Sequence, residues 1–446
     1  MKPGLARMLA MFGTASVLMT WAEPAAQAQP KPARYELLLR NGHVIDPANR
    51  IDGRRDVAIA DGKIAAVKMS IAAADAHKVI DAQGLYIAPG FIDVHAHIGF
   101  GNDGRPAHPP ARYLASGTTT VVDAGSWGVR HFDFFRERFV EKSTVRVLAF
   151  LNIVSTGMTS EALEQDPALM DVEAAVAAIE KNRDIIVGIK SAHYWSKLPF
   201  DAVHQPWTSV DRALAAAGRT GVPIMVDFWP RPPERSYADL LARLRPGDIH
   251  THVFAQQFPV LDEKGKVSAF MRQARERGVL FDLGHGAGSF WFRNAVPAIA
   301  QGFVPDTFGT DLHQGNLNGP VVDMQTTLGK VLSMGVSVAR VVEGVTVNAA
   351  RAIRRTELGT LSVGAKADVA VFAVEKGRFG YSDCGHASMM GKFRLSNRVT
   401  LVQGRVVYDA SGLSMVPWQK APPQYFTTPS LQSDAPAMAD SESLPK

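Results

Sequence analysis

The strongest constraint on the fold is a series of eight apolar runs that alternate with helical patterns, such as Asp171–Lys181, Asp211–Gly218 and Val267–Gly278. The runs are Phe91–His97, Thr118–Asp123, Val145–Asn152, Asp184–Lys190, Val222–Phe228, Asp248–Val253, Val279–His285 and Asp306–Asp311. Eight strands alternating with helices over roughly 220 residues predict an α/β fold, a (β/α)8 TIM barrel. An open parallel sheet is the alternative, but no G-x-G-x-x-G loop follows the first run.

The segments on either side of this region have a different texture. Residues 35–89 and 358–412 contain short alternating runs, and Asn41-Gly42 and Asp61-Gly62 are typical of hairpin turns. They predict a small β-sandwich domain built from both chain ends, next to a barrel domain of residues 90–357. The tail at 419–446 is rich in Pro, Ala and Ser and is predicted to be disordered.

The first residues have the pattern of a secretory signal peptide. Lys2 and Arg7 precede an apolar stretch at 9–21, and an A-x-A cleavage site lies at 26–28. We therefore expect a signal peptide at 1–28, a periplasmic or secreted protein, and no membrane attachment after cleavage.

The net charge and the cysteine content limit the classes of function that fit this chain. The formal net charge is only +5 and is spread along the chain, so nucleic-acid binding is not indicated. The lone cysteine, Cys384, excludes an internal disulfide and has no obvious base partner for a catalytic thiol. The sequence is compatible with a homo-oligomer.

Polar side chains recur where the predicted barrel strands end, which is where barrel active sites lie. His95 and His97 are two residues apart, so both can face the same side of a strand. Such a pair alone is common on protein surfaces. Other strands end in residues of the same kinds, namely Lys190, Asp227, His250, His252, His285 and Asp311. This set predicts a hydrolytic metal centre with imidazole and carboxylate ligands.

The same motifs resemble a known family. DVHAHI, TTTVVDAG, VGIK, THVF, DLGHGAGSF and TDLH together resemble the amidohydrolase superfamily, in its dihydroorotase-like branch of amidohydrolase/deacetylase metallohydrolases. The resemblance extends from about Tyr35 to Tyr408. It implies one or two Zn²⁺ ions per subunit.

The resemblance also implies a role for each matching residue. His95 and His97 would hold the more buried metal, and Lys190 would be carboxylated on its amine and bridge two metals. A snorkelling lysine is the alternative for Lys190. His252 would bind the second metal; His250 could share its face, but His252 matches the THVF motif. Asp311 would bind the buried metal and take a proton from the bridging hydroxide.

One residue departs from the family pattern, because Asp227 stands where the family has a histidine. Zinc accepts either a carboxylate oxygen or an imidazole nitrogen, so Asp227 is interpreted as a ligand of the second metal. The alternatives are that Asp227 only hydrogen-bonds nearby, or that it is too short to reach the metal and leaves the second site weak.

Substrate contacts are predicted at three residues. His285 precedes glycines that permit close approach to a ligand, although a structural role is equally compatible with its position. Tyr194 and Arg105 lie in loops after strands, where an aromatic ring can hold an acyl group and a guanidinium can pair with a carboxylate. Weaker candidates of the same kinds are His108, Trp195, Trp229, Arg231, Arg235 and His313. For any one of the loop residues, including Tyr194 and Arg105, the alternative is a surface position without a role in binding.

The sequence thus predicts a metal-dependent hydrolase that cleaves an amide or ester bond of a small acylated substrate, an N-acyl amino acid or O-acyl hydroxy acid, by metal-activated hydroxide. Two alternatives remain: a cyclic amide hydrolase of the dihydroorotase or hydantoinase type, and a non-catalytic periplasmic protein that binds metal or ligand.

Overall fold

A computed structural model of the chain describes Met1, residues 33–99 and residues 110–428. The predicted signal peptide beyond Met1, Arg105, His108 and residues 429–446 of the predicted tail lie outside the described residues. Within the described part, no helix combines the length and apolar character needed to cross a membrane.

The described residues form fifteen strands and nine α-helices. The strands are β1 Tyr35–Asp46, β2 Ile51–Ala60, β3 Lys63–Lys68, β4 Ala76–Asp81, β5 Tyr86–Pro89, β6 Phe91–Ala96, β7 Thr118–Ala124, β8 Arg146–Asn152, β9 Ile186–Ser191, β10 Ile224–Val226, β11 Ile249–His250, β12 Leu280–Phe281, β13 Val369–Ser382, β14 Ser388–Val402 and β15 Arg405–Tyr408. The α-helices are α1 Phe132–Phe135, α2 Val172–Lys181, α3 Thr208–Thr220, α4 Tyr237–Arg243, α5 Ala269–Glu276, α6 Phe292–Ala300, α7 Met324–Ser333, α8 Val338–Val345 and α9 Val347–Ala352.

Shorter helical turns complete the described secondary structure. A π-helical turn at Arg136–Val140 continues α1. The 3-10 helices are Pro47–Asn49, Ala73–Asp75, Pro110–Ser116, Val129–His131, Leu163–Gln165, Pro167–Leu169, Trp418–Lys420 and Pro423–Phe426. The last two lie at the start of the predicted tail.

Strands from both ends of the chain join in one sheet, in the order β15-β14-β13-β5-β1-β2-β3, with β4 paired to β1. The link is the antiparallel pair of β5 and β13. Its core is apolar and draws on both ends, from Leu37 and Val57 to Val371 and Leu401. The sequence correctly placed strands at both ends, whereas the two-layer sandwich stays a prediction.

The two predicted hairpin turns have different outcomes. Asp61 and Gly62 have φ values of 51° and 67° and turn the chain between β2 and β3, as predicted. The hairpin at Asn41-Gly42 is wrong. Asn41 has a φ of 63°, but β1 continues through it, and its pairing with β2 only shifts register between Leu39 and Gly42. The left-handed residue here makes a bulge inside a strand, which the same dipeptide can do.

The central strands form a parallel sheet in chain order, from β6 to β12. All residues of β6 to β10 are buried except the first residue of β8. Strands that are buried on both faces are typical of parallel sheets covered by helices. Among those helices, α2, α3 and α5 correspond to the three predicted ones, and the Asp171 side chain caps α2 by accepting a hydrogen bond from the Ala174 N–H at 3.1 Å.

The segment after Asp306 closes this sheet into a ring. It bridges in parallel to one edge through Asp282 and Thr307, and to the other through Ala96 and Leu312. The Leu283 N–H donates to the Thr307 carbonyl at 3.0 Å, and the His97 N–H donates to the Leu312 carbonyl at 3.0 Å. The predicted eighth strand is therefore present as a pairing segment of single bridges rather than as a regular strand.

A buried carboxylate fastens this closing segment to β6. Asp93 accepts hydrogen bonds from the Thr310 N–H at 3.0 Å and from the Thr310 hydroxyl at 2.5 Å. Burial raises the pKa of Asp93 to about 7. The N–H and the hydroxyl of Thr310 thus both depend on the Asp93 side chain for their hydrogen bonds.

We expect Asp93→Ala to lower the free energy of unfolding by about 3 kcal/mol, because it leaves the N–H and hydroxyl of Thr310 unpaired in the interior. Urea denaturation followed by circular dichroism measures the change. Asp133→Ala, which removes an exposed ion pair with Lys181, is the control and should change stability by less than about 1 kcal/mol. Equal midpoints for the two variants would contradict the assigned role of Asp93.

Candidate metal centre

A cavity of about 690 Å³ lies at the carboxyl ends of the barrel strands. Its lining among the described residues comes from several strand ends and their loops: His95, His97, Met158, Glu161, Glu164, Lys190, His193, Ser196, Lys197, Asp227, Trp229, His252, Asp311, His313, Gln314 and Gly315. All six residues predicted as metal ligands are in this set. The barrel topology brings them together from positions up to 216 residues apart.

One group of ligand atoms surrounds the carboxylate of Asp311. Its Oδ1 lies 3.1 Å from Nε2 of His97 and 3.6 Å from Nε2 of His95. Nζ of Lys190 is 3.4 Å from the same nitrogen of His95. The lysine is 1% exposed, so its amine is enclosed by the centre and does not extend to solvent.

A second group of atoms surrounds Asp227, which follows β10. This strand pairs on one side with β9, which carries Lys190, and on the other with β11, which His252 follows. Oδ2 of Asp227 is 3.2 Å from Nε2 of His252. Both side chains are largely buried, with 11% and 6% of their surface exposed. Asp227 is therefore long enough to contact the imidazole of His252 directly.

The backbone leaves the strand conformation at two of these residues. His252 has a φ of 60° and Asp311 a φ of 50°, in the left-handed region that side-chain-bearing residues rarely adopt. Such conformations cost about 1–3 kcal/mol and concentrate at functional sites. Gly286, itself at a φ of 57°, packs so closely that a Cβ there would overlap Oδ2 of Asp311.

Each of the three histidines that are predicted as metal ligands is fixed through its Nδ1 atom. His95 Nδ1 lies 2.7 Å from the Thr251 hydroxyl, and His97 Nδ1 lies 2.8 Å from the Ser126 hydroxyl. His252 Nδ1 donates to the Gly284 carbonyl at 2.6 Å. In all three, Nε2 is left to face the carboxylates, which is how proteins orient imidazoles for a metal.

Burial also selects the protonation state that a metal needs. Burial lowers the pKa of His95 to about 3, so this imidazole is neutral at pH 7. Burial likewise lowers the pKa of Lys190. A metal ligand must offer a free electron pair, and the buried centre favours that form of both groups.

The residues fit a divalent metal ion. One ligand atom each from His95, His252 and Asp311 lie within 4.8 Å of one another. Nitrogen and carboxylate oxygen donors in a mostly buried position are the ligands of zinc and related divalent ions.

The two histidines at β11, His250 within the strand and His252 just after it, have different surroundings. His252 lines the cavity, whereas His250 is fully buried beside Tyr237 and Phe258, with ring centroids 5.1 Å and 4.8 Å away. Neither ring nitrogen of His250 has a hydrogen-bond partner among the described residues. Of the two candidates for the second metal, only His252 is placed to serve.

The predicted substrate contacts are placed differently. His285 is fully buried, with Nε2 at 2.7 Å from Nζ of Lys330 and its ring stacked on Phe290. Tyr194 is also buried, in the hydrophobic core. Neither belongs to the described lining of the cavity, and Arg105 lies outside the described residues. Of the weaker candidates, Trp229 and His313 do line it.

Several cavity residues were not predicted from the sequence, chiefly Glu161, Glu164, His193 and Lys197. They lie in the loops after β8 and β9, where charged residues are ordinary. The sequence could have indicated one of them, His193. It follows Lys190 by three residues, in a chain that has Asp227 where a histidine is expected.

The chain is similar to known proteins in both sequence and structure. The sequence model of the amidohydrolase family matches residues 292–407. A deacetylase of Agrobacterium fabrum (strain C58) is 36% identical over 323 residues, which cover 70% of this chain and 76% of that protein. The crystal structure of an adenine deaminase matches with a TM-score of 0.75 and 28% identity, over 84% of this chain and all of the other. That of a dihydroorotase matches with a TM-score of 0.71 and 31% identity, over 84% and 99%.

Proposed function

Because this chain belongs to the amidohydrolase superfamily and is a hydrolytic enzyme, we propose that it removes an acyl group from a small substrate, an N-acyl amino acid or an O-acyl hydroxy acid. The observation that carries the proposal is the buried cluster of His95, His252 and Asp311 at the barrel mouth. The similarity to a deacetylase over most of both chains supports the acyl-transfer chemistry. Membership of a superfamily of hydrolases sets aside the non-catalytic alternative.

We assign the metal-holding residues as follows. His95, His97 and Asp311 would hold one divalent ion, with Zn²⁺ as the proposed identity, and Asp227 and His252 would hold a second. Such ions, when bound, polarise a water molecule and the substrate carbonyl. The donors stand ready for this because the Nδ1 atom of each histidine is already occupied by a hydrogen-bond partner.

Lys190 is proposed to be carboxylated. Its neutral amine would add to carbon dioxide and release one proton, which gives a carbamate with two oxygen donors and one negative charge. An ammonium group cannot ligate a cation, yet Nζ lies among the ligand atoms, 3.4 Å from Nε2 of His95. The lowered pKa of the buried amine favours the neutral form that reacts.

Asp311 is the proposed proton carrier. Asp311 is 8% exposed as a whole residue, and it lines the cavity. It would accept a proton from the attacking water and pass it to the leaving amine or alcohol, so that charge does not build up on either reactant. The residue is held through its backbone, because its N–H donates to the His95 carbonyl at 2.6 Å and its carbonyl accepts from the Asn316 side chain at 2.7 Å.

A cyclic amide hydrolase remains the second candidate, because a dihydroorotase structure matches 84% of this chain at 31% identity. A panel of substrates separates the two. N-acetyl amino acids and O-acetyl hydroxy acids are compared with dihydroorotate and hydantoins, each with and without chelator. We expect chelator-sensitive turnover of acyl substrates, at a kcat/KM at least about 100-fold above that of cyclic amides. The reverse order would favour the second candidate.

Recognition of a substrate carboxylate is assigned to Lys197, which lies at the cavity rim and pairs with Glu161 at 2.8 Å. This pair is well exposed, so its partner can be exchanged at little cost. We expect Lys197→Ala to raise KM for N-acetyl amino acids about tenfold with little change in kcat. Lys264→Ala, in an exposed loop, is the control. An unchanged KM in Lys197→Ala would contradict the assignment.

We also propose that the protein is exported from the cytoplasm. The A-x-A site at 26–28 supports export to the periplasm or the exterior. Activity measured in periplasmic and cytoplasmic fractions of a cell that expresses the full chain tests this.

A further inference from the structure

A fourth histidine faces the centre from the loop after β9. His193 Nε2 lies 3.3 Å from Oδ2 of Asp227, the same oxygen that lies 3.2 Å from Nε2 of His252. His193 has a φ of 56°, in the left-handed region, as do His252 and Asp311. Its side chain is 42% exposed and lines the cavity, so an ion in the cavity can reach it.

The imidazole of His193 is oriented in the same way as the other three. Its Nδ1 lies 3.0 Å from Oε2 of Glu164, whose side chain is only 3% exposed. A buried carboxylate on the outer nitrogen of a histidine is a common support for a metal ligand, because it fixes the ring and strengthens its basicity. His313 shows the contrast: its Nδ1 accepts a hydrogen bond from the Gly315 N–H at 3.1 Å.

The spacing of the donors also suits a metal. In tetrahedral zinc sites with bonds of about 2.0–2.1 Å, neighbouring ligand atoms lie about 3.3 Å apart. The separations from Oδ2 of Asp227 to the nitrogens of His193 and His252 match this value. Two imidazoles and one carboxylate form a ligand set that is common for zinc.

We propose that His193 is a ligand of the second divalent ion, together with Asp227 and His252, and that Glu164 positions it. The proposal rests on the proposed metal-dependent function. It means that the imidazole absent from the end of β10 is supplied by the loop after β9. It also argues against a weak second site, because a third donor would share the ion with Asp227 and His252.

The alternative occupant of this position is a proton. A protonated His193 could simply bridge the carboxylates of Glu164 and Asp227 and contribute nothing to metal binding. The two readings differ in what removal of the ring does to the second ion, and this can be measured without any substrate.

The test titrates metal-free protein with Co²⁺ and records visible absorption, together with metal content by mass spectrometry after dialysis. Wild type is expected to bind two ions. His193→Ala should keep the first ion and lose affinity for the second by at least about 100-fold, with loss of its absorption bands. His131→Ala, an exposed histidine away from the cavity, should match wild type. Wild type that binds one ion, or His193→Ala that binds the second within threefold of wild type, would overturn the proposal.

Two further variants guard against misfolding. Glu164→Gln keeps the shape of the supporting side chain and removes its charge, and should weaken only the second ion, by about 10- to 100-fold. His193→Gln preserves bulk and should behave as His193→Ala. If neither Glu164→Gln nor a folded His193 variant affects the second ion, the proposal fails. Because the readout is metal binding, a protein that binds Co²⁺ as expected but turns over no acyl substrate would refute the proposed function alone.

Discussion

Asp311→Asn is expected to lower kcat about 1,000-fold while the protein keeps its metal. The amide has the size of the carboxylate and retains an oxygen donor, but it cannot take up the proton of the attacking water. General acid–base groups contribute about 10²- to 10⁴-fold to rate, which sets the expected size of the loss. Steady-state kinetics on the best acyl substrate and metal content by mass spectrometry measure both parts.

The controls for Asp311 separate chemistry from structure. Asp133→Asn changes an exposed carboxylate in the same way and should retain wild-type kinetics. The unfolding temperature of Asp311→Asn should lie within a few degrees of that of wild type. The reason is that the hydrogen bonds to the His95 carbonyl and from the Asn316 side chain involve backbone atoms of residue 311, which the substitution leaves in place. Wild-type turnover in Asp311→Asn would remove this residue from the mechanism.

Lys190→Ala is expected to abolish detectable turnover, with a loss of at least about 1,000-fold, and to release metal. If Lys190 carries a carbamate, truncation removes two oxygen donors from the centre of the site. If it were only an ammonium group 3.4 Å from His95, its removal would relieve a charge that opposes metal binding. The two states therefore predict opposite changes in metal content.

Chemical rescue gives the sharper test of the carbamate. Truncation of this buried side chain leaves space at the centre, and a small carboxylic acid such as acetate can enter and supply the missing oxygens. We expect millimolar acetate to restore activity at least tenfold in Lys190→Ala and to have no effect in Lys190→Met, whose side chain fills the space. Carbon-13 bicarbonate should give a carbamate signal in the NMR spectrum of wild type that is missing from both variants. Retained metal and no rescue would contradict carboxylation.

The sequence predicted the barrel strands well where they are apolar and less well where they end in the polar residues of the cavity. β7 and β8 lie within a residue of their expected bounds. β11 and β12 comprise only two residues each, because the chain leaves the extended conformation near His252 and the following glycines. Hydrophobic alternation cannot report this change, since the turning residues are the polar ones that the site requires.

The site was predictable to the extent that its residues occupy strand ends. His95, His97, Lys190, Asp227, His252 and Asp311 all do, and all reach the cavity. Glu164 and His193 were missed because they come from loops, and loop conformation depends on tertiary packing more than on local pattern. His285 also follows a barrel strand, but it is fully buried and lies outside the described lining of the cavity.

The pairing of β5 with β13 has a consequence for how the chain is made. Phe372 lies opposite Tyr86, which is synthesised more than 280 residues earlier. While the barrel segments emerge from the ribosome, the edge of β5 has no partner, and an unpaired strand edge invites pairing with other chains. We therefore expect a nascent chain that ends before residue 369 to need a chaperone, and a chain released at that point to aggregate.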